Sequence, residues 1–390
     1  MTGPHPAILS LLDRLVAFDT TSARSNLALV DHAAGLLSDL GADIRLTTDE
    51  GGGKANLWAT LGPADRPGIV LSGHTDVVPV DGQDWSSDPF RAERRDGRVY
   101  GRGTADMKGF LAACLALAPD FAAARLAVPV HFALSYDEEV GCIGVRRLLA
   151  DLETLPVRPR LCIVGEPTEM QVILAHKGKK SVRCTVHGHE CHSALNHQGV
   201  NAVEIAAELV AFLRRMQRRL REHGPFEAGF DPPYTTVHTG TIHGGTALNI
   251  VPRECRFEFE LRHLPRHDPE DLMAELRAFA QSLVPEMLAV SPAAGVTLDE
   301  TNTTAGLAAD EASEAVALAR RLAGLGEEGQ SGKVAFTTEA GLFQAAAIPA
   351  VVCGPGSIAQ AHKPDEFIAV EQLARAERFL RALLAEVGAS

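Results

Sequence analysis

Leu71-Ser72-Gly73-His74-Thr75-Asp76-Val77-Val78-Pro79 sets a His-x-Asp pair directly after an apolar run. Ile69-Val70-Leu71 predicts a buried strand, and Gly73 and Pro79 bracket the turn that leaves it. At such a strand end an imidazole can bind a metal through one nitrogen while a nearby carboxylate accepts a hydrogen bond from the other. Taken alone, the pair is more often an ordinary hydrogen-bonded loop. Its meaning depends on what other strands deliver beside it.

On either side of this stretch the apolar spacing changes period in a regular way. Ala7–Phe18 and Leu27–Leu40 have helical spacing, and Ile44–Leu46 and Ala55–Thr60 predict strands. A helix is expected over Phe110–Leu117, and a buried strand at Val130–Leu134 that delivers Asp137-Glu138-Glu139. A helix over Gly144–Leu152 precedes a strand at Leu161–Val164, which delivers Gly165-Glu166-Pro167-Thr168. Alternating strands and helices predict an α/β domain with a mostly parallel central sheet, whose site forms at the carboxyl ends of its strands. After Gly178 the texture changes: half-exposed strands at Ser181–Val186, Thr235–Thr241 and Cys255–Arg262, with helices at Val200–Leu220 and Pro269–Leu283, predict a small α+β domain. Helix Glu311–Leu322, strand Ala350–Cys353 and helix Val370–Val387 then complete the first domain. The expected organisation is a discontinuous catalytic domain, 1–178 and 289–390, with an inserted lid and dimerisation domain, 179–288.

Composition narrows the function. A chain of 390 residues, 46% apolar and 22% charged, is an ordinary globular protein of two-domain size. Its net charge of -13 argues against nucleic-acid binding, and the basic run Arg214–Arg219 continues a helical pattern as a solvated face. Seven scattered cysteines without a CxxC pair resemble neither a disulfide framework nor a thiolate metal site. No run has membrane-spanning length, and no basic segment followed by an apolar one occurs near Pro4, His5 and Pro6, so a soluble cytoplasmic protein is expected. Gly101-x-Gly103 has Asp106 where a dinucleotide fingerprint needs its third glycine, and Gly326–Lys333 misses the phosphate-loop spacing by one.

Acidic groups and histidines recur at strand or turn ends: His74 and Asp76, Asp106, Glu138 and Glu139, Glu166, and His362 after Gly354-Pro355-Gly356. Two histidines and three carboxylates, one free to bridge, are the inventory of a two-metal hydrolytic site, since strands ending repeatedly in acids otherwise collect uncompensated negative charge. Mixed imidazole and oxygen donors suit zinc, with cobalt or manganese able to occupy the same set.

These motifs, together with Tyr100-Gly101-Arg102-Gly103-Thr104-Ala105-Asp106-Met107-Lys108-Gly109 and His362-Lys363-Pro364-Asp365-Glu366, resemble the dinuclear zinc amidohydrolases and exopeptidases in family order over nearly the whole chain. The resemblance implies that His74 and Glu166 hold one Zn2+, Glu139 and His362 the other, and that Asp106 bridges them, with Co2+ as a substitute. It implies that Asp76 orients the His74 imidazole. Glu138 is then the general base that takes a proton from the attacking water and passes it to the leaving amine. Consecutive residues of an extended segment point apart, so Glu139 can ligate while Glu138 stays free.

Trp85-Ser86-Ser87-Asp88-Pro89-Phe90, Gly188-His189-Glu190-Cys191-His192-Ser193-Ala194 and Gly354-Pro355-Gly356-Ser357-Ile358 are most similar to members acting on N2-acetyl-L-ornithine, in arginine synthesis. His192 is then expected to stabilise the tetrahedral oxyanion, across a homodimer formed by the lid. Asn249 is a candidate for a substrate or oxyanion contact. The planar fork of Arg262 suits a substrate carboxylate, although Arg266 follows where the family commonly has glycine. The partner expected is a small N-acyl amino acid, with no nucleic acid and no membrane. The alternatives are a desuccinylase, another aminoacylase or a dipeptidase on the same scaffold, and, outside the enzymes, a metal-dependent binding protein that has no need of an unligated Glu138.

Overall fold

The computed structural model describes residues 3–325 and 331–389, so the first part of the Gly326–Lys333 segment lies outside the described residues. The chain divides into two compact units: Met1–Ala175, Leu307–Lys333 and Thr338–Ser390 form one, and His176–Gly306 with Val334–Thr337 the other.

The first unit is built on a sheet whose consecutive strands are Asp43–Thr48, Ala55–Leu61, Val130–Ser135, Ile69–His74, Leu161–Pro167 and Ala350–Gly354, followed by shorter edge strands. The four strands from Val130–Ser135 to Ala350–Gly354 run parallel, and Ala55–Leu61 joins them antiparallel. All four are buried along their whole length, which is why they read as continuous apolar runs and not as alternation. Helix Gly109–Ala123 packs in the core with Phe110, Leu111 and Phe121, against Phe379 and Leu380 of helix Val370–Val387.

Two helices outrun their expected ends. Gly109–Ala123 continues through Pro119, and Pro269–Val290 through Pro285. A proline inside a helix costs about 3 kcal/mol. Beyond each one lies a buried side chain, Phe121 at 0% and Met287 at 1% exposure, whose burial offsets about 1.5–3 kcal/mol of that.

In the second unit a four-stranded antiparallel sheet, ordered Thr236–Gly244, Glu254–His263, Gly178–His187, Gly295–Thr304, meets helices Ala202–His223 and Pro269–Val290. Cys255, Phe257, Phe259 and Leu261 alternate with exposed Glu254, Arg256 and Glu258, so one sheet face is apolar and the other charged. The fourth strand corrects the domain boundary expected at 288. Gly295–Thr304 pairs with Gly178–His187 from Gly295 opposite His187 to Thr304 opposite Lys179, and the unit closes at Gly306. Its polar sequence, suited to a sheet edge, hid it as a strand.

A third, small sheet joins Glu93–Arg95, Arg98–Tyr100 and Phe367–Ala369, which ties the C-terminal histidine segment to the Asp106 segment. Among the described residues no helix is long and apolar enough to cross a membrane.

Candidate metal centre

His74 ends its strand with the side chain 1% exposed. The turn after it is fixed from three directions: Thr75 Oγ1 donates to the Ser135 carbonyl at 2.7 Å and accepts from Asn26 Nδ2 at 2.8 Å, and Thr20 Oγ1 donates to the Thr75 carbonyl at 2.6 Å. His74 Nδ1 lies 2.9 Å from the Asp76 carbonyl oxygen, which can only accept. Nδ1 therefore carries the proton and Nε2 offers its lone pair to a metal. Nε2 faces Asp106 Oδ1 at 3.0 Å and Glu166 Oε1 at 3.9 Å.

The Asp76 carboxylate has partners beyond the His74 ring it was expected to orient. It is 3.6 Å from His74 Nδ1, and its closer partners are Ser22 Oγ, donating to Oδ2 at 2.7 Å, Glu138 N, donating to Oδ1 at 3.0 Å, and Glu139 N, donating to Oδ2 at 3.3 Å. Burial pushes this carboxyl up, but the His74 contact and these hydrogen bonds hold it below the ordinary carboxylate range. Asp76 thus secures the backbone of both glutamates delivered by the neighbouring Val130–Ser135 strand. Asp137, just before them, has a left-handed φ of 54° and turns away to Lys54 Nζ, 2.7 Å from Oδ2.

Asp106 follows Gly103, whose φ of 80° opens the turn. Its two oxygens reach two imidazoles, Oδ1 to His74 Nε2 at 3.0 Å and Oδ2 to His362 Nε2 at 3.3 Å, as a bridging carboxylate must. His362 Nε2 is also 3.0 Å from Glu139 Oε2. Donor atoms of His74, Asp106 and Glu139 lie within 4.8 Å of one another, as do those of His74, Glu138 and Glu166.

Two observations test whether metal ions fit. Glu139 Oε1 is buried with no hydrogen-bond partner among the described residues, an orphan that an ion would satisfy. Desolvation pushes the Glu138 carboxyl up to about 8 and that of Glu139 up to about 7, and raises Glu166 as well. Hydrogen bonds to Asp106 and Glu139 push His362 up to about 10. Crowded carboxyls that resist ionisation, beside an imidazole held protonated, are what a set of metal ligands becomes when protons stand in for cations. The donor set fits two divalent ions.

Five expected ligands, His74, Asp106, Glu139, Glu166 and His362, thus come together in the first unit with Asp76 and Glu138. His192, Asn249 and Arg262 belong to the second unit. His192 is exposed and caps the Ser193–Gln198 turn, its Nδ1 accepting from Ala194 N at 3.1 Å, and Ser193 N donates to the Asn249 carbonyl at 3.1 Å. Arg262 Nε pairs with Glu260 Oε1 at 3.0 Å.

Glu339 was missing from the sequence reading. It is 1% exposed and accepts from Ser135 Oγ and, at 3.4 Å, from Ser72 Oγ, the two strands flanking the site. Burial pushes it up to about 7. Its one signal in the sequence is an acid opening the apolar segment Ala340-Gly341-Leu342-Phe343.

Residues 70–386 match peptidase family M20/M25/M40. The chain is 36% identical to an acetylornithine deacetylase of Myxococcus xanthus, covering 99% of this chain and 98% of that one. It is 37% identical to an acetylornithine deacetylase of Proteus mirabilis, covering 93% and 92%. Its fold is similar to that of a Staphylococcus aureus tripeptidase, with a TM-score of 0.75 at 21% identity over 99% of both chains. A dinuclear metal binding peptidase of the M20 family from Bacillus subtilis superposes with a TM-score of 0.64 at 15% identity over 97% of both chains.

Proposed function

The chain belongs to peptidase family M20/M25/M40, and within that family we propose that it hydrolyses the amide of N2-acetyl-L-ornithine to acetate and L-ornithine, a step of arginine synthesis. The choice of substrate follows relatives of that activity at 36% and 37% identity over nearly the full length. Hydrolysis is carried by one observation: the segment after the strand that sets Glu139 beside Asp106 and His362 also presents, as its immediate neighbour, the Glu138 carboxyl, grouped with His74 and Glu166.

His74 and Glu166 would hold one ion and Glu139 and His362 the other, with Asp106 available to both. Zinc suits these donors and cobalt replaces it. Bound there, two cations polarise the scissile carbonyl and make water acidic enough to supply hydroxide near neutral pH. Glu138 takes the proton of the attacking water and delivers it to the departing amine, a double task open to a carboxylate beside the ions that holds neither of them. Asp76 keeps Glu138 and Glu139 in their separate directions through their backbone N–H groups. His192 and Asn249 serve the oxyanion and substrate, and Arg262 the substrate carboxylate. Exposed Leu195, Ile242, Leu248 and Ile250 on the second unit favour a homodimer through that unit, with His192 supplied across it. The seven cysteines are all unpaired, which accords with a reducing cytoplasm.

The test is product release after metal reconstitution, on acetyl, succinyl and formyl derivatives of several amino acids and on dipeptides. The expected result is the highest kcat/KM on N2-acetyl-L-ornithine. A higher value on a succinyl derivative or a dipeptide overturns the substrate, and no turnover on any member overturns the enzyme.

A further inference from the structure

The metal ligands reach the site from segments far apart in sequence, and one of them, His362, sits on an exposed loop with a side-chain exposure of 53%. Both His362 and Asp365 hold left-handed backbone, with φ of 64° and 54°, a conformation that costs a non-glycine residue energy and persists where its surroundings impose it. Those surroundings can be named. Gln83 Nε2 donates to the His362 carbonyl at 3.0 Å, Arg102 Nη1 to the Lys363 carbonyl at 3.3 Å, and Ser86 N and Oγ both to Asp365 Oδ1 at 2.9 Å.

The loop ends at Glu366, which is 1% exposed. Its Oε2 accepts from Arg102 Nη1 at 2.7 Å and from Gly103 N at 3.1 Å, and its Oε1 from Ala105 N at 2.9 Å and Asp106 N at 3.1 Å. Arg102 is equally buried, and its other arm donates to Gln83 Oε1 at 2.6 Å. One carboxylate, four residues after the exposed ligand, therefore gathers three backbone N–H groups of the turn that carries the bridging ligand. The same arginine that neutralises it also holds the loop.

We propose that Glu366 and Arg102 are positioning residues that set Asp106 and His362 as one rigid piece, and that this latch chiefly builds the metal position shared by Glu139 and His362, which draws both Asp106 and His362 from that piece. The position of His74 and Glu166 shares only Asp106 with that piece, and its other two ligands are fixed by their own strands. The inference rests on the two-metal reading above and names what makes its second position form.

Calorimetric titration of metal-free protein with Zn2+ against a competing chelator tests it, with Co2+ absorption as a second readout. Wild type is expected to bind two equivalents. Glu366→Gln is expected to weaken one equivalent by about 10–100-fold while the other, which shares only Asp106 with the latch, weakens by several-fold less. A buried ion pair cut in half can unfold a protein, so the paired variant Arg102→Met with Glu366→Leu removes both charges at once. It is expected to keep a cooperative melt in the metal-free state and still lose the same equivalent. Ser86→Ala, which loosens the loop from its exposed side, is expected to weaken that equivalent by a few-fold. Two equivalents bound as in wild type by the Glu366→Gln protein, or both weakened alike, overturns the latch. Fewer than two equivalents in wild type overturns the two-metal reading itself and the latch with it.

Discussion

Asp76→Asn separates two accounts of the residue at the end of the central strand. If its carboxylate only orients His74, the variant keeps a nearly normal site, since the imidazole Nδ1 donates at 2.9 Å to the Asp76 carbonyl, which the substitution leaves in place. The geometry argues otherwise. Oδ1 takes the Glu138 N–H and Oδ2 takes the Glu139 N–H, so either orientation of an asparagine amide sets its NH2 against one of two backbone donors. One charge-assisted hydrogen bond is lost and a donor-donor contact replaces it, worth about 1.5–3 kcal/mol. At 1.36 kcal/mol per decade this is a fall of about 10–150-fold in kcat/KM, carried by kcat because it moves the general base. The assay is acetate release from N2-acetyl-L-ornithine by metal-reconstituted protein, with metal content measured on the same sample. Ser22→Ala calibrates it, removing one neutral donor at 2.7 Å and leaving both backbone bonds, for a loss of about fivefold. Activity of the asparagine variant within twofold of wild type refutes the backbone-holding role.

Other outcomes are expected from the same site. Glu138→Gln removes the base but no ligand, so turnover falls by at least about 100-fold while elemental analysis still finds two metals; a variant that keeps turning over sinks the assignment. In metal-free protein the folded Glu339 sits at about 7 against an ordinary 4.5, so it favours the native state fully below pH 4.5, and that contribution, about 3 kcal/mol, is lost as the pH rises through 7. Glu339→Gln mimics the neutral acid and flattens denaturant stability across this window; an unchanged pH slope shows that the group does not titrate there. Chelation lowers Tm, since each ion present at 100 times its Kd contributes about 2.7 kcal/mol, and a Tm indifferent to chelator and to added Zn2+ contradicts the metal reading.

The elements that carry the ligands were legible because burial on both faces leaves a strong trace: Ile69–His74, Val130–Ser135 and Leu161–Pro167 are apolar runs that stop where polar groups begin. Of the candidate ligands, His74, Glu139 and Glu166 were legible as polar groups at or just past those stops, and Asp106 and His362 only as members of turn motifs. What sequence could not show is which atom of a residue acts. Asp76 was expected to serve His74 with its carboxylate; its carbonyl also faces the ring, and its carboxylate, 3.6 Å from the ring, receives the N–H groups of both glutamates as well. Glu339 was invisible because its partners, Ser72 and Ser135, are over 200 positions away and are themselves ordinary strand residues. The Gly295–Thr304 edge strand and the pairing of Arg98–Tyr100 with Phe367–Ala369 escaped for a related reason, as short or polar strands identified by their partners more than by their composition.

The concentration of acids in the first unit connects fold to function. Asp76, Asp106, Glu166, Glu339 and Glu366 are each no more than 6% exposed, an arrangement that costs stability unless every charge is answered. Asp76 is answered by Ser22 and backbone N–H groups, and Glu366 by Arg102 and three more. Among the described residues, the Asp106, Glu139 and Glu166 carboxylates face histidines as their cationic partners, and one oxygen of Glu139 has no hydrogen-bond partner. Acids that position the backbone therefore carry their own compensation, while those that face the shared space are left for cations. That division sets Asp76 and Glu366, whose carboxylates receive backbone donors, apart from the candidate ligands; Glu138 and Glu339, answered only by Cys142 and by Ser72 and Ser135, fall outside it.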